Sequence, residues 1–199
     1  GARVNVEGFV NVVEQAHEDG CDTIVYASTS SIYGSRTDPS PEAMDVTVNT
    51  GYEASKMARE TYAEYFANHY DLTLAGMRFF SVYQGYGGAE EHKGEYANVI
   101  AQFADDIAHG EAPVLYGDGE QTRDFTHVSD IVRGLVQAAE HDLDGVYNLG
   151  TGEAYDFNTV VDLLNEELDT AVEPEYVENP IPEDVYVHDT CADASKMRE

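Results

Sequence analysis

Lysine is nearly absent from this chain of 199 residues: Lys56, Lys93 and Lys196 are the whole supply. Arginine adds little, since Lys and Arg together number 10 against 39 Asp and Glu, a formal net charge of −29. The shortage excludes partners that must be gripped by clustered cations. Nucleic acid and anionic membrane surfaces both need such clusters, so neither is an expected partner. Cysteine is equally scarce. Cys21 and Cys191 show neither metal-ligand spacing nor a disulfide framework, and a reducing, cytoplasmic setting is expected. No apolar run approaches the ~20 residues of a membrane span, and the first residues do not read as a signal peptide.

What is present is enough apolar residue, 42%, to build a core, so the acidity is not that of a disordered tail. The carboxylates are spread along the chain instead of gathered in one run. That distribution suits a heavily hydrated surface and predicts a protein of a high-salt cytoplasm, because dilute salt would leave the charge to repel itself. The chain opens on Gly1 inside a helical pattern and closes on another, "ADASKMRE", so a fragment of a longer protein is expected.

Periodicity organises the rest. Val6, Phe9, Val10 and Val13 fall at helical spacing and predict a helix over 4–18, stopped at Gly20. "TIVYAST" (23–29) reads as a strand buried on both faces, followed by a loop rich in Ser, Pro and Asp. A helix over 51–69 and a buried strand over 72–83 come next, then a glycine-rich loop over 85–94 and a helix over 96–109. Two short extended pieces flank a Gly-Asp-Gly turn at 117–119. Ile131, Val132, Leu135, Val136 and Ala139 mark a helix, "GVYNLG" (145–150) a strand, and 158–168 a last clear helix before the extended "EPEYV". Strands alternating with helices predict an α/β architecture with parallel pairing. The stretches 85–127 and 151–199 fit that alternation less well and read as a smaller lobe, with 128–150 returning to the sheet.

Chemistry is suggested by Tyr52 and Lys56, one helical turn apart on one face. An ammonium beside a phenol favours the phenolate, whose ordinary pKa is about 10, and a tyrosine so tuned can act as a general base. Taken alone, this spacing is more often accidental. Thr29 adds context: it lies at the carboxyl end of a strand, where open α/β sheets bind ligands. A Ser/Thr-rich turn capping the strand is the plainer reading of the same residues. The seven histidines share no ligand spacing, so no metal is expected.

The order and spacing of "VYASTSSIYG", "YEASK", "RFFSVY", "YGDGEQTRDFTHVSDIV", "YNLGTGEAYDFNTVV" and "ADASK" are specific. Together they resemble the extended short-chain dehydrogenases/reductases, in the NAD-dependent epimerase/dehydratase group that acts on nucleotide sugars. The similarity covers essentially the whole chain. It implies a Rossmann-type doubly wound sheet, of which residues 1–84 would be the second half, and a substrate-binding lobe over 85–199. It also implies NAD as cofactor, a nucleotide sugar of the UDP-glucose/UDP-galactose type as substrate, and a homodimer through the helices at 4–18 and 51–69. In this resemblance Tyr52 takes a proton from the sugar hydroxyl as hydride leaves the same carbon. Lys56 holds the nicotinamide ribose, and Thr29 bridges Tyr52 and the substrate. Asn5, Ser28 and Phe79 lie against the cofactor. Ser30 and Ser81 stand at substrate positions, and Arg123 pairs with the substrate's pyrophosphate.

Within the group, Ser30 and Ser31 replace the Asp-Glu pair of the sugar 4,6-dehydratases, and serine cannot supply a carboxylate's proton chemistry. The decarboxylases' glutamate is missing from Ser31 as well. Epimerisation through a transient 4-keto sugar is therefore the expected reaction. Another dehydratase or reductase of the family, or a dinucleotide-binding regulator without turnover, are the alternatives. Three departures stand out. The glycine-rich dinucleotide fingerprint is not in these residues, Ser81 replaces the family's asparagine before "VY", and the arginine ahead of "ADASK" is missing.

Overall fold

A computed structural model describes residues 1–84, 89–183 and 186–198, apart from the side chains at 89, 91, 95 and 96. The glycine-rich loop expected over 85–94 therefore lies partly outside the described residues. The chain begins with a π-helical turn, Arg3–Glu7, that runs into helix α1, Gly8–Glu18. Strand β1 (Thr23–Ala27), helix α2 (Gly51–Tyr70) and strands β2 (Thr73–Phe79) and β3 (Val82–Tyr83) follow. Then come α3 (Val99–Ala108), β4 (Val114–Tyr116), β5 (Thr122–Arg123), β6 (Thr126–His127), α4 (Val128–Glu140) and β7 (Gly145–Leu149). The chain continues with β8 (Tyr155–Asp156), α5 (Phe157–Leu168), β9 (Glu175–Val177) and α6 (Ser195–Arg198).

Strands β1, β2 and β7 form one parallel sheet in that order, with Ala27 beside Met77 and Phe79 beside Leu149. The parallel crossovers and the flanking helices are the α/β arrangement that the alternation predicts and the Rossmann type that the resemblance implies. β2 is buried along its centre, whereas β1 is mostly half-buried because it forms one edge of the sheet. The expectation that 23–29 is buried on both faces is corrected by that edge position. The strand expected over 72–83 also breaks in two. After Phe79 the chain leaves the sheet, and Val82–Tyr83 pairs with Thr126–His127 instead. Around the Gly-Asp-Gly turn three short strands form, because the extended run is interrupted at Asp124.

Separate apolar clusters follow these layers. Phe9, Val13, Tyr26, Ala63, Phe66, Leu72 and Leu74 join α1 and α2 to the sheet. Ala75, Met77, Ile131, Ala138 and Leu149 fix α4 to it. The approach of α4 depends on Gly134, where a Cβ would meet the Leu149 side chain at 2.5 Å. A further cluster, Phe103, Ile107, Leu115, Phe125, Phe157, Val160 and Val161, packs α3 against α5 away from the sheet.

Candidate active site

The first turn of α2 is set by a capping box written in the sequence as "TGYE". Thr50 Oγ1 accepts from the Glu53 amide at 3.2 Å, and the Glu53 carboxylate accepts from the amides of Thr50 and Asn49. These bonds satisfy the amides that a helix start leaves unpaired. The turn so fixed carries Tyr52, half-exposed, and presents Lys56 one turn later with only 8% of its surface exposed. The Lys56 Nζ lies 5.6 Å from the centre of the Tyr52 ring and donates to the Ala27 carbonyl at 3.2 Å. The pair therefore sits at the carboxyl end of β1. Burial, then the nearby Arg59 guanidinium, pushes the Lys56 ammonium below the ordinary lysine range.

Thr29 is buried two residues beyond Ala27 and opens a short 3₁₀ turn, Ser30–Tyr33. Its Oγ1 accepts from the Ser31 amide at 3.2 Å and lies 3.1 Å from the Ser31 hydroxyl. The functional and capping readings of Thr29 thus fall on one residue. Phe79 ends β2 beside this point, since the Ser28 amide donates to the Met77 carbonyl at 2.7 Å. Ser81 follows at the break in the strand, with its carbonyl taken by the Thr126 amide at 3.2 Å. Asn5, in the π turn, donates to Ser55 Oγ at 2.9 Å, and Ser55 donates in turn to the Tyr52 carbonyl at 2.7 Å. A π turn widens the helix locally and recurs at functional sites. The even helical spacing of 4–18 gave no sign of it.

Two expected residues are engaged elsewhere. The Ser28 hydroxyl, 3% exposed, donates to Glu60, which also receives two bonds from Arg78 at 2.7 and 3.0 Å. The Ser28 hydroxyl, expected against the cofactor, is thus held in this structure by a buried bond to Glu60. The Arg123 guanidinium donates to the carbonyls of Thr122 at 2.7 Å, His188 at 2.8 Å and Val187, between the rings of Phe157 and Tyr186. Arg123 here clamps the 186–188 segment onto β5, so the expected phosphate ligand is a brace in this structure. Its neighbour Asp124, fully buried, accepts from the amides of Thr151, Gly152 and Ala192 and from the Thr151 hydroxyl. Asp124, in "TRDFT", thus ties two distant loops together.

Beneath the site lies a polar layer that no motif of the sequence announces. Arg78 also donates to Tyr33 Oη at 2.7 Å, and Tyr33 donates to Asn148 Oδ1 at 2.7 Å. Asn148 reaches the carbonyls of Ser40 and Asp193 at 2.7 and 3.0 Å. Burial alone would lower the Arg78 pKa, but bonds and charge from Glu60 raise it. Only a periodic run broken by an isolated Arg in "AGMRFF" hinted at such a layer.

An NAD cofactor can be tested against these residues. Among the described residues Lys56 makes a single hydrogen bond, which leaves donors of its ammonium for ribose hydroxyls beside an exposed Tyr52. The nicotinamide end of such a cofactor fits this chemistry.

Known proteins resemble this chain in sequence and in fold. The UDP-glucose 4-epimerase of Mycolicibacterium smegmatis is 33% identical over 173 residues, covering 86% of this chain and 52% of its own. Two solved structures superpose closely. The UDP-N-acetylglucosamine 4-epimerase of Methanobrevibacter ruminantium M1, in complex with UDP-N-acetylmuramic acid, matches with TM-score 0.90 and 28% identity over 99% of this chain and 62% of that one. The UDP-glucose 4-epimerase of Thermotoga maritima, with UDP-glucose, matches with TM-score 0.87 and 30% identity over the same shares, 99% and 62%. The chain thus spans about half the length of the curated relatives it matches. Residues 1–150 match the model of one family, and the chain belongs to it: the NAD dependent epimerase/dehydratase family.

Proposed function

We propose that the complete protein epimerises a nucleotide sugar of the UDP-glucose/UDP-galactose type at C4, through a transient 4-keto sugar, with NAD as a reusable cofactor. The observation that carries this reading is the Tyr52–Lys56 pair at the carboxyl end of β1, in a chain of this family. Its relatives named above are 4-epimerases of UDP-sugars. NAD, when bound, supplies hydride acceptance and return. Tyr52 removes the proton from the C4 hydroxyl and gives it back on the reformed alcohol. Lys56 holds the cofactor ribose and keeps positive charge beside the phenol, while Thr29 orients the sugar oxygen. Ser30 and Ser81 line the sugar side, and Asn5 and Phe79 flank the cofactor. Arg123 meets the phosphates with the guanidinium donors that the three backbone carbonyls do not take.

The protein works as a homodimer through α1 and α2 in a high-salt cytoplasm. Val12, Tyr62 and Tyr65 are 61%, 42% and 44% exposed, and Ala58, Thr61, Tyr62 and Tyr65 line an apolar hollow on the outer face of α2. A self-complementary apolar patch suits a two-fold axis. The test is the complete protein with a panel of UDP- and TDP-sugars at molar KCl, products identified by NMR, with Tyr52→Phe alongside. Tyr52→Phe should lower kcat by about 10²-fold or more, the scale of a lost general base. Unchanged turnover in that variant would remove Tyr52 from the mechanism. NAD binding with no turnover of any sugar would favour the regulatory reading instead.

A further inference from the structure

Arg59 lies one turn beyond Lys56 and belongs to no motif that the sequence singled out. Its guanidinium bridges two other elements. Nε donates to the Asn5 carbonyl at 3.0 Å, Nη2 to Asn5 Oδ1 at 3.0 Å and Nη1 to the Ala27 carbonyl at 2.9 Å. The Phe9 ring lies 5.4 Å beneath it. The Ala27 carbonyl is the same acceptor that Lys56 uses, so two cations converge on one neutral oxygen. A brace between α1 and α2 needs no such arrangement, and like charges this close repel. Among the described residues, these groups face Lys56. From α2 come the Tyr52 ring and Arg59, from β1 the Ala27 carbonyl, and across Arg59 stands the neutral Asn5 amide. Glu60, on the next turn of α2, is turned away toward Ser28 and Arg78.

We propose that Arg59 is a positioning residue for Lys56. It fixes the π turn at Asn5 and the Ala27 carbonyl, and its charge directs the remaining Lys56 donors away from itself, toward the open side at Tyr52. The inference rests on the proposed function, in which those donors meet the cofactor ribose. The burial and like-charge effects that depress the Lys56 ammonium agree with it.

Lysine labelled with ¹³C at Cε, with the Lys56 signal assigned by its loss in Lys56→Met, lets the Lys56 titration be followed directly by NMR in the complete protein. Arg59→Gln and Arg59→Met should raise the Lys56 midpoint and weaken NAD binding, read by calorimetry, by about tenfold, the effect of one lost charged hydrogen bond. Arg59→Lys keeps the charge and should return the Lys56 midpoint close to its parent value. A folded Arg59→Gln protein with an unmoved Lys56 midpoint and unchanged NAD affinity overturns the proposal. Should Arg59→Met not fold, Arg59→Gln, which retains a donor for Asn5 or Ala27, decides the question. Lys56→Met separates the two possible failures. If it leaves NAD affinity intact, the reading of the site falls. If it weakens binding while the Arg59 variants do not, only the role of Arg59 falls.

Discussion

Glu60 shows how a single residue serves both stability and the site. It is 7% exposed, accepts two bonds from Arg78 and one from Ser28, and lies one turn of α2 beyond Lys56. Removing one partner of a buried ion pair leaves the other charged without compensation, at a cost of about 3–5 kcal/mol. Glu60→Ala should therefore lower the unfolding free energy by roughly that amount, while a double change to Met at Glu60 and Arg78 should recover most of it. Urea titrations of the three proteins measure both. A single-variant loss below about 1 kcal/mol would mean that water already reaches Arg78. The pairing also explains why α2 holds its register on the sheet: Ser28 and Arg78 come from β1's end and β2, and both meet one carboxylate.

At the scale of elements, the ends of helices carry the local code. α5 starts at Asp156, whose carboxylate accepts from the Thr159 amide at 2.8 Å and the Thr159 hydroxyl at 2.7 Å. Partial burial would push the Asp156 pKa up, but these bonds outweigh it and hold the carboxyl below the usual Asp range. A depressed folded pKa means stability that is present above the unfolded value near 3.9 and is lost as pH falls through the folded one. Asp156→Ala should cost about 1 kcal/mol at neutral pH, the usual effect of a lost N-cap, with the gap to the parent closing as pH drops below the Asp range. Asp156→Asn keeps the cap without the titration, so it should cost less than Asp156→Ala while its gap to the parent narrows over the same pH range. Chemical melts at neutral and acid pH distinguish the three, and a gap that widens in acid would contradict the sign.

For the whole molecule, seven of the ten cations are tied to the backbone. Arg36, Lys56, Arg59, Arg78, Arg123, Lys196 and Arg198 each donate to a main-chain carbonyl. With 39 carboxylates against 10 basic side chains, the surface charge is dominated by the carboxylates. Their repulsion is screened only as the Debye length falls to about 3 Å, near molar salt. The melting temperature and activity should both rise as KCl goes from dilute to molar, and more than in a neutral osmolyte of equal osmolality, which strengthens burial without screening. A flat or falling melting temperature across the KCl series would sink the high-salt reading. Light scattering at molar KCl tests the dimer in the same buffer. A monomer at every concentration would leave the exposed Tyr62 and Tyr65 without their proposed cover.

What the sequence determined by itself was whatever local chemistry encodes. The 3.6-residue spacing of Val6, Phe9, Val10 and Val13 marked α1, "TGYE" marked the start of α2, and the four-residue step placed Tyr52 and Lys56 on one helix face. The alternation of elements was enough for a parallel α/β sheet, and the ordered motifs pointed to the family. Tertiary structure decided what depends on partners distant in the chain. Ser28 turns to Glu60, 32 residues away, and Arg123 turns to carbonyls 64 and 65 residues away. Arg59 reaches Asn5 across 54 residues. A buried polar group must find an acceptor wherever the fold brings one, and no periodicity records which acceptor that is. Thus spacing paired Tyr52 with Lys56 and the resemblance supplied the other candidate residues, while the direction in which each side chain points was fixed only by packing.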